Sequence, residues 1–119
     1  MKRFLIYIFI VIILTVGVVY ASQVVRIAPL TYSAKSSTTT VTTSATALPA
    51  TALAGREAIA IYNTTAATVT VYIGGSDVTT SNGFPLTSSA PAITVDVDDS
   101  VVIYGICASS ADVRTLEVK

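Results

Sequence analysis

The chain has 119 residues, of which 12% are charged and 52% hydrophobic, with 7 Lys+Arg against 7 Asp+Glu. An average soluble domain is about 25% charged. The absence of histidine excludes His-based acid–base catalysis and His metal ligation. The single cysteine excludes an intrachain disulfide or a paired-thiol zinc or redox site. No basic stripe is present to neutralise a phosphate backbone, so nucleic acid is not an expected partner.

The hydrophobic excess is unevenly placed. Met1-Lys2-Arg3 is a short basic start, and Phe4 to Ala21 then runs without a charge. Phe4, Leu5, Ile6, Ile8, Phe9, Ile10, Val11, Ile12, Ile13, Leu14, Val16, Val18 and Val19 form its apolar body. As a helix rising about 1.5 Å per residue, the run is about 27 Å long, close to a bilayer core of about 30 Å. Val19-Tyr20-Ala21 also resembles the end of a cleavable secretory signal. Both readings remain open: residues 1–21 are a transmembrane signal anchor or a cleaved signal. As an anchor, Lys2 and Arg3 stay cytoplasmic and the rest of the chain lies outside the cytoplasm. The expected partner of residues 4–21 is a lipid membrane.

From Ser22 onward the chain holds 5 basic and 7 acidic residues and is rich in Ser and Thr. Residues 22–37 read as a juxtamembrane linker in which Val24, Val25 and Ile27 can form a strand before Pro29. Residues 38–119 read as one small β domain. Ser36 to Ala47 is dominated by Ser and Thr and reads as a linker or an exposed edge strand, with a strand expected in its second half.

Strict alternation follows. Glu57 to Tyr62 places Ile59 and Ile61 on one face, and Asn63 to Ala67 turns. Thr68 to Ile73 directs Val69, Val71 and Ile73 inward and Thr68, Thr70 and Tyr72 outward. Gly74, Gly75 and Asp77 mark the next turn, where glycine permits positive φ and a carboxylate can cap. Asn82-Gly83 marks a tight hairpin turn. Pro91 opens a strand with Ile93, Val95 and Val97 inward, and Asp98 to Ser100 turns again. Val101 to Cys107 is apolar on both faces, as a central strand would be. Asp112 to Val118 is the last strand, with Arg114 and Glu117 expected to be exposed. The expected fold class is all-β: a small antiparallel sandwich or barrel of six or seven strands behind one N-terminal transmembrane helix.

Candidate sites are few. Asp96, Asp98 and Asp99 lack the ligand spacing of a calcium loop and read as a solvated strand end. Asn63-Thr64-Thr65 matches the N-glycosylation pattern. Cys107, with no cation near it in sequence, reads as a small buried apolar residue. Tyr72 is the best candidate for a ligand platform in a chain without Trp. Serine has no histidine base, and a chain this short has little room for a cleft between paired carboxylates. No catalytic, cofactor or metal residues are assigned, and the chain is expected not to be an enzyme.

Three stretches are distinctive beyond composition. Leu48-Pro49-Ala50-Thr51, with Leu53 and Gly55-Arg56, precedes the Ile59 strand. Val71-Tyr72-Ile73-Gly74-Gly75-Ser76-Asp77-Val78-Thr79-Thr80-Ser81-Asn82-Gly83-Phe84-Pro85-Leu86 forms the centre. Tyr104-Gly105-Ile106-Cys107-Ala108-Ser109 and Asp112-Val113-Arg114-Thr115-Leu116-Glu117 form the end. Together, over residues 38–118, they resemble small β-rich structural modules of bacteriophage virions. The turn signature Gly74, Gly75, Asp77, Asn82 and Gly83 is the most specific part.

The resemblance implies a structural or decorating role in a virion, with no catalytic residues to carry over. It implies other virion proteins as partners, and a homo-oligomer or larger assembly. Gly105 and Cys107 depart from the pattern, which often has Ala there. The apolar N-terminus is a further departure. It points to a virus with an internal membrane, or to assembly through the host inner membrane, with the mature protein in a membrane-associated virion. A secreted or cell-surface adhesin or filament subunit is the alternative, with residues 36–47 as a stalk or an exchangeable strand.

Overall fold

The computed structural model describes residues 32–119. The expected membrane segment, from Phe4 to Val19 and on to Ala21, lies outside the described residues, as does the possible strand at Val24–Ile27. No helix among the described residues is long and apolar enough to cross a membrane.

Eight strands follow in order: β1 (Ala34–Val41), β2 (Thr46–Leu48), β3 (Ala58–Asn63), β4 (Val71–Gly74), β5 (Phe84–Leu86), β6 (Ala92–Val95), β7 (Ile103–Cys107) and β8 (Ala111–Val118). They build two antiparallel four-stranded sheets, ordered β1-β8-β3-β6 and β2-β7-β4-β5. The pairs β1·β8, β2·β7, β3·β6 and β4·β5 are those of one long hairpin with its turn between β4 and β5. Rolling that hairpin up adds the pairs β3·β8 and β4·β7. This is the eight-stranded jelly-roll order, two Greek keys wound together.

Period-2 alternation divides each strand between core and surface. On β8, Ala111, Val113, Thr115 and Glu117 are buried while Asp112, Arg114, Leu116 and Val118 are exposed. Ile59 and Ile61 of β3, Val71 and Ile73 of β4, Leu86 of β5, and Ile103 and Cys107 of β7 join Val41, Leu48 and Val113 in one cluster between the sheets. Val69, Ile93, Val95 and Val97 pack against it half-buried. The expected inward sets of β3, β4 and β6 are therefore the observed ones.

The elements differ from expectation at several points. Among the described residues there are eight strands, because Thr46–Leu48 and Phe84–Leu86 each form a three-residue edge strand. Pro85 is accommodated because β5 lies at the sheet edge, where an amide hydrogen is not required for pairing. The Ser/Thr run is a strand in its first half and a turn after it. β1 starts at Ala34, within the stretch read as linker, and pairs with β8 from Ala34↔Val118 to Val41↔Ala111. A run of threonines has no apolar rhythm of its own, so the partner strand sets its limits. β4 begins at Val71, three residues later than expected, because Thr64–Thr68 extends the turn.

The glycines act mainly by being small. Among the described residues only Gly55 has positive φ, 74°, and Gly74, Gly75 and Gly83 do not adopt the left-handed conformation expected of them. At Gly105 a Cβ would stand 2.8 Å from Leu48 Cδ1 and 3.3 Å from Val41 Cγ2. The leucine fills the space that an alanine would use. Gly105→Ala is expected to destabilise the domain by about 1–3 kcal/mol through overpacking. Adding Leu48→Val should recover part of the loss, read as urea midpoints of the three variants.

Candidate functional site

The turn signature forms a loop tied to itself. Asn82 Oδ1 accepts hydrogen bonds from the Thr79 amide at 2.6 Å and the Thr79 hydroxyl at 3.0 Å. Asn82 Nδ2 donates to the Asp77 carbonyl at 3.2 Å, and the Gly83 amide donates to Thr79 O at 3.0 Å. The capping group is thus the Asn82 carboxamide rather than the Asp77 carboxylate. Asn-Gly does not make a two-residue hairpin turn, since the loop between β4 and β5 spans residues 75–83. Val78 is buried beneath it, and a Cβ on Gly83 would meet Val78 Cγ2 at 2.8 Å and Tyr72 Cβ at 2.7 Å. Gly83 is required so that the loop can close over valine. The arrangement is a stiff exposed loop whose named polar groups are turned on one another.

The largest departure from expectation is Glu117. It is fully buried, and its Oε1 accepts from Arg56 Nη1 at 2.8 Å. Arg56 is also buried, and it spends its other donors on backbone carbonyls. Nε reaches Val97 O at 3.2 Å, and Nη2 reaches Asp98 O at 2.7 Å and Val101 O at 2.6 Å. Glu117 Oε2 accepts from the Leu53 amide at 3.1 Å. The planar guanidinium fork can serve all of these acceptors at once, which a lysine could not. The pair is structural: it holds the 53–56 loop, the 97–101 turn and the end of β8 together. Its signal was present in the sequence, since Glu117 shares parity with Val113 on an alternating strand.

The remaining candidates are also consumed locally. Asn63, of the glycosylation pattern, is buried, and its Nδ2 donates to Val69 O at 2.8 Å and Leu86 O at 3.1 Å. Its Oδ1 accepts from the Thr65 amide and hydroxyl. In the folded domain that side chain is not available to a glycan. Cys107 is buried, with Sγ 3.4 Å from Val41 O. Tyr72 is half-buried on its strand.

Asp98 Oδ1 accepts from the hydroxyl and amide of Ser100, and Asp99 Oδ2 accepts from the Gly55 amide at 2.8 Å. No group of three metal-ligating side chains gathers among the described residues. The Ser100 hydroxyl, then its amide, hold the exposed Asp98 carboxyl below its ordinary value.

Two surface features remain. One is an open groove of about 430 Å³ on the outer face of the β1-β8-β3 strands, lined in part by Ser36, Thr38, Ala60, Tyr62, Arg114 and Leu116. The other is an apolar groove of about 380 Å³ beside β5 and β6, lined in part by Phe84, Ile93, Val95, Val101 and Val102. Phe84, Val101 and Val102 are about half exposed there, at 55%, 45% and 47%. Contiguous exposed apolar patches mark protein or membrane contact surfaces or ligand-binding grooves.

Comparison of the chain with protein-family models, with curated proteins and with solved structures finds no match in any of the three. The likeness of residues 38–118 to phage virion modules therefore rests on the motifs alone.

Two expectations test the site chemistry. Glu117→Gln leaves the Arg56 charge buried without its counter-ion and should cost about 3–5 kcal/mol in denaturant unfolding. The double change Arg56→Met with Glu117→Leu should cost less than Glu117→Gln alone if the pair acts as a closed unit. For Asp98, whose folded value is lowered, the stability it contributes is present above the unfolded value of about 3.9 and lost as pH falls through the folded one. Asp98→Asn should therefore flatten the acid limb of the unfolding midpoint and leave its slope near neutral pH unchanged.

Proposed function

We propose that the chain is a non-enzymatic structural protein of a bacteriophage virion. In this reading residues 4–21 hold it to a lipid membrane, and the β domain packs in or decorates the capsid. The observation that carries the reading is the strand order β1-β8-β3-β6 and β2-β7-β4-β5. Jelly rolls of this kind serve as capsid domains, and also as lectin and cupin domains. A fold alone does not select among those uses. The phage-module motifs of residues 38–118 favour the first.

The chemistry of the candidate residues is consistent with it. Asn63, Arg56, Glu117, Asp98 and Asp99 are each spent on holding backbone. What the domain offers outward is a low-charge β surface with two apolar grooves, suited to protein neighbours. The adhesin or filament alternative has weaker support. Strand exchange through residues 36–47 would have to release β1, which is paired along its whole length with β8 of its own chain.

Mass spectrometry of purified particles made by the virus that encodes the chain should find it in proportion to the capsid proteins. Detergent should strip lipid while leaving the chain with the shell. Its absence from the particles defeats the proposal. The first residue recovered, Met1 or Ser22, separates a retained anchor from a cleaved signal.

A further inference from the structure

The outer face of the β1-β8-β3-β6 sheet is built as a ridge beside a furrow. Leu116 and Val118 rise from β8, 45% and 41% exposed. Their direct neighbours on β3 are the small Ala60 and Ala58. One row further along, Arg114 of β8 stands opposite Tyr62 of β3. Tyr62 is 46% exposed. Arg114 has no ion pair among the described residues. Each large or cationic side chain on β8 thus lies in the same row as a small or aromatic one on β3.

We propose that this face is a docking surface for a second copy of the chain. A two-fold axis lying between the faces, running along the strands between β8 and β3, lays β8 of each copy over β3 of the other. Because such an axis preserves the rows, Val118 meets the partner's Ala58 and Leu116 meets the partner's Ala60. Arg114 meets the partner's Tyr62. Ridge enters furrow twice, and each guanidinium faces an aromatic ring, the electrostatic match of a cation with a ring quadrupole. Such a contact is isologous, so one surface supplies both halves. Tilting the axis by half the crossing angle gives the usual aligned packing of two sheets at about 30°.

An axis along the strands also keeps the Ser33 ends of both copies on the same side. That suits two chains rooted in one membrane, and this point alone rests on the proposed anchor. With four strands about 4.8 Å apart and about 13–27 Å long, the flat face measures about 400 Å² per copy. That is about half the usual contribution of one partner to a stable interface, about 800 Å². The dimer is therefore weak in dilute solution and is promoted where copies are concentrated on a surface.

The full chain in mild detergent, followed through a dilution series by native mass spectrometry, tests this. Leu116→Asp alters the ridge and Ala60→Arg fills the furrow, while Phe84→Ser alters the apolar groove away from this face. All variants keep residues 1–31, so differences among them report the β domain, and thermal unfolding shows which remain folded. The wild type and Phe84→Ser should dimerise at high concentration. Each face variant should raise the dissociation constant about tenfold or more. A wild type that stays monomeric throughout overturns the proposal. So does a dimer that resists folded Leu116→Asp and Ala60→Arg, or one lost with Phe84→Ser. Because the measurement is made on the isolated chain, it can fail while the chain is still found in particles, and the reverse.

Discussion

Arg56 and Glu117 meet where three segments of the chain must be held against one end of the core. These segments are the end of β8, the loop leading into β3 and the turn after β6. One guanidinium collects three carbonyls and one carboxylate, and that carboxylate collects the Leu53 amide. An isolated buried charge would cost several kcal/mol. The arrangement stands only because almost every donor and acceptor is matched. The β1·β8·β3 ladder ends beside it, with the Glu57 amide bonded to Val118 O. The register of the outer face is thus pinned close to this pair.

The hairpin topology explains where the chain presents surface. Rolling a long hairpin places β6 and β5 at the last edges of their sheets, and β5 has three residues. The inward face of β6 is consequently half covered, and apolar side chains reach the surface beside it. At the other edge β1 is a full-length strand of small hydroxyl residues, which leaves β8 standing proud. Both features arise from strand length and side-chain size, and neither needs a charged surface. They suit a protein that works by being packed among neighbours, which is the role proposed for it.

Much of the fold was legible in the residues. Alternation in β3, β4 and β6 gave the core faces, because apolar side chains at every second position have one stable placement. Turn residues marked the boundaries after β3, β4 and β6. The candidate residues were harder to read. Asn63 looked like a surface acceptor and is a buried clamp, because a three-residue pattern carries no information on burial. Glu117 looked solvated because carboxylates usually are. The parity of β8 placed it inside, and Arg56, distant in sequence, makes that position tolerable. Gly74, Gly75 and Gly83 suggested backbone freedom, but Gly74 and Gly83 instead leave room for Val78, and Gly75 lies against the Asp77 carboxylate.

The sequence by itself determined that the domain is made of strands, that Cys107 is an apolar filler, and which faces of β3, β4 and β6 turn inward. Those follow from local chemistry: side-chain period, turn residues and the lack of partners for a thiol. Only the tertiary structure decided that β1 begins at Ala34, that Asn82 rather than Asp77 caps the loop, and that Glu117 is buried. Two of these depend on a partner far away in the chain, β8 for β1 and Arg56 for the carboxylate, while the loop is settled by contacts of Asn82 with Thr79 and Asp77 and of Gly83 with Val78 and Tyr72. Long-range pairing supplies the hydrogen bonds that settle β1 and Glu117, and side-chain packing within the folded loop settles the cap.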